Sequence, residues 1–364
     1  MQSVWVKKDN FRETRIVQSD APTLADGEIL LEVDKFALTA NNVSYAVIGD
    51  SFGYWRFFPT GEEGWGIVPV WGFATVVESR ADDVPVGERI YGYLPFASHL
   101  VLTPAEVSPQ GFVDVSSHRT ELPVLYNQYA RTSLEPEALA ALEDARCVFF
   151  PLFVTGYLLA DYLLDNTYLG ADQIVIGSAS SKTGFGLAAM LNRNGAAPRV
   201  VGLTSLRNAG FVKNLSWYDD AIPYEDIERL DADMKTVFVD MSGHGPARSR
   251  LHHHYKDNLV QSCMVGGTHW ESESGGGDLP GARPKLFFAP SQIEKRDQEW
   301  GQGVLLEKAY AASAEVAADV KNSITIQRFS GPEQAAQTWK DLVDNRIAPS
   351  VGLIGAIGGA SAVS

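Results

Sequence analysis

Gln173-Ile-Val-Ile-Gly177-Ser-Ala-Ser-Ser-Lys182-Thr-Gly184-Phe-Gly186-Leu-Ala-Ala-Met190 reads as a strand, a turn of small residues and the start of a helix. The β-branched apolar run supplies the strand. The turn holds nothing larger than serine apart from Lys182, so the backbone can approach a ligand closely. A helix start presents unpaired N–H groups and the positive end of its dipole, which together stabilise a docked pyrophosphate. Ser178, Ser180, Ser181, Lys182, Thr183 and Gly184 are therefore candidate phosphate-binding residues. The strict Gly-x-Gly-x-x-Gly spacing is absent, and a tight serine-rich turn with no ligand would show the same residues.

The chain on either side narrows the reading. Asn194-Gly195 closes the helix, and Pro198-Arg-Val-Val-Gly-Leu-Thr204-Ser205 reads as a second parallel strand, completing a βαβ unit. An NAD-preferring site ends this strand with Asp or Glu, whose carboxylate accepts the ribose hydroxyls and repels a 2′-phosphate. Here it ends in Thr204-Ser205-Leu206-Arg207. Hydroxyls and a guanidinium suit a phosphate, so the residues favour NADPH. A solvated surface charge near a helix start is the other reading of Arg207.

The 364 residues include 45% hydrophobic and 21% charged residues, enough for a large core and two domains. A net charge of -15 repels nucleic acid and anionic membrane surfaces over most of the exterior, so neither is an expected partner, and a small-molecule substrate that is anionic needs a locally positive pocket. The two cysteines, Cys147 and Cys263, lie far apart in apolar surroundings, which indicates neither a disulfide framework nor a thiolate metal site and fits a reducing cytoplasm. Residues 1–15 lack the apolar core and cleavage site of a secretory signal and read as a first strand. The apolar run from Cys147 to Ala160 is interrupted by Pro151 and closed by Asp161, short of a membrane span. Residues 351–360 read as a buried strand with a loose tail.

From Gln2 to Pro104 the pattern is short alternating runs, including Glu28 to Asp34, Val68 to Val77 and Glu88 to Tyr93, which predict a mostly β module. Helical spacing follows over 132–146 and 152–164. Strands at Ile174 to Ile176, Val200 to Leu203, Thr236 to Asp240, Leu259 to Val265 and Lys285 to Ala289 alternate with helical stretches, predicting a doubly wound parallel sheet. Beyond Pro290 the order is helix, strand (323–329), helix (332–343), strand (350–354), with the last strands returning to the first module. The expected domains are 1–140 with 291–364, and 141–290. Glu271-Ser-Glu-Ser-Gly-Gly-Gly-Asp278 reads as a flexible loop that either covers a site or is simply mobile.

Beyond the βαβ unit, three segments carry a resemblance: Asp83-Val-Pro-Val-Gly-Glu-Arg-Ile-Tyr-Gly92, Phe153-Val-Thr155-Gly-Tyr157 and Asp219-Asp-Ala-Ile-Pro-Tyr224. With them, nearly the whole chain resembles the medium-chain dehydrogenase/reductase superfamily, in its zinc-free quinone-reductase and enoyl-reductase branch. The resemblance implies an α/β protein in which a GroES-like, mostly β catalytic domain joins a Rossmann domain, assembled as a homodimer. It also implies that Ser205, Arg207 or Lys213, and Tyr224 hold a 2′-phosphate, and that Thr155 lies near the nicotinamide. His244, in Asp240-Met-Ser-Gly-His-Gly245, follows a sheet strand where cofactor-facing loops lie; a turn histidine with no role is the alternative.

The chain also departs from the superfamily. Where the zinc-dependent branch has a ligand-bearing Gly-His-Glu, this chain has Trp71-Gly72-Phe73-Ala74, which offers zinc no donor, and two cysteines cannot build a four-cysteine site. No metal is expected. His252-His253-His254 reads as a solvated helical face, since consecutive helical residues point apart. Enoyl-reductase relatives use a Tyr after a glycine in the first module, which makes Tyr54 the candidate proton donor. Within Phe52-Gly-Tyr54-Trp-Arg-Phe-Phe58 its other reading is as part of an aromatic cluster shaping a pocket. The elbow lacks the Gly-x-Ser-x-Gly of a hydrolase. The expectation is an NADPH-dependent, zinc-independent reductase of a double bond conjugated to a carbonyl; an NADPH-binding regulatory or interaction protein without turnover is the alternative.

Overall fold

In a computed structural model, residues 1–195, 197–241, 243–265, 279–287 and 289–358 are described. The glycine-rich loop at 271–278 and the end of the C-terminal tail lie outside them. The chain divides into two compact units, Met1–Val148 with Thr325–Ser364, and Phe149–Ile324.

In the second unit, six strands lie parallel among the described residues: β1 (Gln173–Gly177), β2 (Arg199–Thr204), β3 (Asp220–Pro223), β4 (Thr236–Asp240), β5 (Leu259–Met264) and β6 (Pro284–Leu286), in the order β3-β2-β1-β4-β5-β6. Chain order reverses between β1 and β4, so the crevice at their carboxyl ends is where such sheets bind ligands. The central strands β1 and β4 are buried along their whole length, as expected of strands covered on both faces. Val175, Val201, Leu203, Phe238 and Leu251 form one core layer. On the other side the helix Glu143–Asp165 crosses the helix Lys182–Arg193 at Gly156 and Gly186. A Cβ on Gly156 would lie 2.8 Å from the Leu187 nitrogen, and one on Gly186 would lie 2.6 Å from the Phe153 ring.

Several expectations need correcting. Helical spacing over 132–146 and 152–164 resolves into a short helix Glu137–Ala140 and one continuous helix Glu143–Asp165 that runs through Pro151. Proline inside a helix costs about 3 kcal/mol, which burial of apolar side chains on both sides outweighs. The helix is therefore long and apolar enough to cross a membrane, and 72% of its apolar window is buried inside the protein. Residues 291–324, expected with the first module, belong to the second unit. Arg296 pairs there with Asp161 (2.8 Å) and Asp165 (3.0 Å), and Arg193 with Asp319 (2.8 Å). His252 is not solvated but fully buried, its ring nitrogens facing Ser262 Oγ (3.1 Å) and the Pro280 carbonyl (2.9 Å).

The first unit is mostly β. Gln2–Lys7 pairs with Asn10–Gln18 and Trp65–Ile67, and a larger antiparallel sheet runs through Ile29–Leu38, Pro69–Ser79 and Arg89–Pro95. The returning chain closes it: Val351–Ala356 pairs antiparallel with Ile29–Leu38 and parallel with Thr325–Ser330. Val33, Phe36, Val70, Leu94 and Trp339 fill its core.

Candidate functional site

The turn after β1 is held by side chains where a glycine-rich turn would rely on backbone freedom. Ser178 has φ +53°, in the left-handed region that favours glycine, and its N–H donates to the Tyr224 hydroxyl at 2.7 Å. The Tyr218 hydroxyl donates to the Ala179 carbonyl (2.9 Å). Buried Ser180 accepts from the Thr204 hydroxyl (3.1 Å) and the Asn208 amide (3.2 Å). Ser181 caps the helix, its Oγ accepting from the Gly184 N–H at 3.1 Å. A Cβ on Gly184 would sit 2.7 Å from the Ser178 carbonyl oxygen, so this position needs glycine for close approach. Lys182 and Thr183 open the helix, and burial lowers the Lys182 ammonium to about 8.

Tyr224 also stacks on His244, with ring centroids 5.5 Å apart and planes at 25°. His244 caps the helix Gly245–Tyr255, its Nδ1 accepting from the Ala247 N–H (3.1 Å). The fold thus gathers Ser178, Tyr224 and His244 at the carboxyl end of the sheet, beside Ser180, Ser181 and Lys182. Ser205, Arg207 and Lys213 follow β2. Arg207 and Lys213 are exposed and, among the described residues, have no ion-pair partner. Thr155 stands apart: its hydroxyl donates to the Pro151 carbonyl of its own helix (3.0 Å).

Tyr54 lies in the first unit, on the single turn Tyr54–Arg56 that follows Gly53 (φ +75°). Its hydroxyl is 3.2 Å from that of Tyr126, and its ring is 4.5 Å from Tyr45. Tyr45 in turn accepts from the Trp71 indole N–H (3.3 Å). Burial, with the neighbouring Tyr45, raises the Tyr54 phenol above its usual value. Both readings of Tyr54 thus meet in one place, a hydroxyl within an aromatic cluster.

Sequence reasoning missed several residues. Thr204, whose hydroxyl was expected to suit a phosphate, is instead buried and locks Ser180. Asp240 at the end of β4 accepts from the Gly243 N–H (2.9 Å) and pairs with buried Arg248 at 3.6 Å; an Asp closing an apolar strand was the available signal. Nothing local marked Tyr126, 72 residues from Tyr54.

A mostly β unit whose last strand returns to it, joined to a parallel sheet with a helix-capping turn after its first strand, is the two-domain fold of the medium-chain dehydrogenases/reductases. The chain belongs to the family described as "Protein of unknown function (DUF2855)", matched over residues 36–348. No curated protein matches the sequence. Among solved structures the chain is similar to CurA from Vibrio vulnificus in complex with NADPH (14% identity, TM-score 0.62, covering 99% of this chain and 100% of that one). It is also similar to the yhdH oxidoreductase from Salmonella enterica in complex with NADP (12%, TM-score 0.52, 98% and 100%). A mutant form of enoyl thioester reductase from Candida tropicalis is a third match (9%, TM-score 0.56, 98% and 99%).

Proposed function

We propose that the chain is an NADPH-dependent, zinc-independent reductase of a carbon–carbon double bond conjugated to a carbonyl, in an enone, a quinone or an enoyl thioester. The observation that carries the reading is the end of β2: Ser205, Arg207 and Lys213 follow it without any carboxylate, the two cations exposed and, among the described residues, without an ion-pair partner. This chemistry fits a ribose 2′-phosphate and disfavours NAD. The turn fits a pyrophosphate on separate grounds. Gly184 keeps the backbone free of a Cβ where the helix opens, Ser181 fixes the first turn, and Lys182 adds a cation. Similarity to structures solved with NADPH and NADP supports the choice.

Bound NADPH would supply the hydride. Ser178 to Gly184 would hold its phosphates, with Tyr224 and His244 beside them and Thr155 in the neighbouring helix, while Tyr54, or a water it orients, would hold the proton. Trp71 to Ala74 provide no zinc donor, so the oxygen must be polarised by hydrogen bonds. A homodimer acting on small molecules in the cytoplasm completes the reading. Following NADPH oxidation with enones, quinones and enoyl thioesters tests it; if none reacts above background, the reading is rejected.

A further inference from the structure

The first unit holds a group of polar aromatic side chains whose hydroxyls outnumber the partners around them. Tyr54, Trp71 and Tyr126 are half-buried, and Tyr45, Phe57, Phe58 and Tyr93 lie behind them. The Tyr54 and Tyr126 rings meet edge to face at 84°, centroids 5.7 Å apart, so the two hydroxyls point to a common region and come within 3.2 Å. Phe57 and Tyr93 back Tyr126 at 5.5 and 4.7 Å, fixing its ring. Tyr93 is fully buried, and its hydroxyl has no hydrogen-bond partner among the described residues. Its ring lies 5.7 Å from that of Tyr45 and 4.7 Å from that of Tyr126. A buried hydroxyl without a partner is unusual in a native protein and calls for an explanation.

Two hydroxyls at this separation cannot both donate to each other. One proton of the pair is always left over, and a single oxygen about 2.7 Å from each, an ordinary O–H···O distance, would accept both. We propose that Tyr54 and Tyr126 form a two-donor site for one carbonyl oxygen that becomes anionic, carried by a planar conjugated ligand held among the aromatic rings. Tyr126 is thereby a second substrate-contacting residue. Burial raises both phenols above their usual range, keeping them protonated and hence donors. The chemistry is that of an oxyanion hole built from phenols, effective because both donors are fixed by packing before the charge develops. A flat conjugated carbonyl such as a quinone fits better than an aliphatic thioester, because ring faces reward planar partners.

The substrate class rests on the reductase reading, but the donor site does not need turnover to be tested. The probe is 4-nitrophenolate, a planar aromatic oxyanion, titrated by its absorbance into the full-length protein at mildly alkaline pH, with nitrobenzene as the uncharged comparison. The expected result is binding of 4-nitrophenolate to the wild-type protein at least about 10-fold tighter than nitrobenzene, with Tyr54→Phe and Tyr126→Phe each weakening 4-nitrophenolate about 10-fold and leaving nitrobenzene unchanged. Equal binding of the two probes by the wild type overturns the proposal whether or not the variants fold. Loss of affinity in Tyr54→Phe alone overturns the second donor. Selective 4-nitrophenolate binding without NADPH oxidation by any carbonyl leaves the donor site standing and the reductase reading rejected; NADPH oxidation without selective binding does the reverse.

Discussion

Replacing Arg207 with alanine should weaken NADPH binding and leave NADH binding unchanged. The guanidinium is exposed and, among the described residues, has no ion pair to give up when it contacts a phosphate. A hydrogen bond to a charged group contributes about 1.5–3 kcal/mol when well formed. Exposure and salt reduce that figure, since charges in water are screened over about 8 Å at physiological ionic strength. Roughly 1–1.5 kcal/mol remains, which at about 1.4 kcal/mol per decade is a 5- to 12-fold rise in the NADPH Kd.

Lys213→Ala should act in the same direction with a smaller effect, because an ammonium offers a point charge without the paired donors of arginine. Fluorescence titration of both cofactors against wild type and the two variants measures this directly, and repeating it at low and high salt should show the NADPH preference shrinking as salt rises. Equal wild-type affinity for NADPH and NADH, or an equal loss of both on Arg207→Ala, would refute the assignment of the region after β2 to a 2′-phosphate.

NADPH affinity should fall as pH rises through about 8, where Lys182 loses its proton, and Lys182→Met should flatten that profile in the same titration. Gly184→Ala places a methyl 2.7 Å from the Ser178 carbonyl oxygen; thermal unfolding should register a loss of about 1–3 kcal/mol, and calorimetry weaker cofactor binding. Arg248→Leu removes the cation 3.6 Å from the buried Asp240 carboxylate and should destabilise the protein in urea unfolding, with part of the loss recovered when Asp240→Asn is added. Ser181→Ala removes the helix cap and should cost about 1 kcal/mol by the same method.

Strands β1, β2, β4 and β5 of the parallel sheet were legible because each is an apolar-rich run closed by a turn or helix signal, whereas β3 (Asp-Ala-Ile-Pro) is too short to read that way, and the turn after β1 was legible because small residues and a capping serine announce themselves locally. The allegiance of residues 291–324 was not. It depends on Arg296 meeting Asp161, 135 residues away, and no local pattern encodes that meeting. Pro151 misled for a related reason: its local preference ends a helix, and only burial along Glu143–Asp165 overrides it. Local periodicity also cannot tell a solvated His252 from one whose partner, Ser262, arrives on β5. In the candidate site, the backbone-shaping residues were readable, whereas the groups that lock them, Thr204, Tyr218 and Asn208, become meaningful only once β2 and β3 are in place.

That dependence has a kinetic side. A turn built of glycines takes shape as soon as its own strand and helix exist. This one is fixed by hydroxyls arriving 24 residues later at Thr204, 39 at Tyr218 and 46 at Tyr224. During synthesis, Ser178 to Ser180 therefore stay unlocked until the chain has emerged past Tyr224 and β3 has docked, since such contacts form only after the intervening loops have closed. On the proposed function, nucleotide would meet a fully locked turn only after β3 has docked, which would place cofactor capture late in the maturation of the protein.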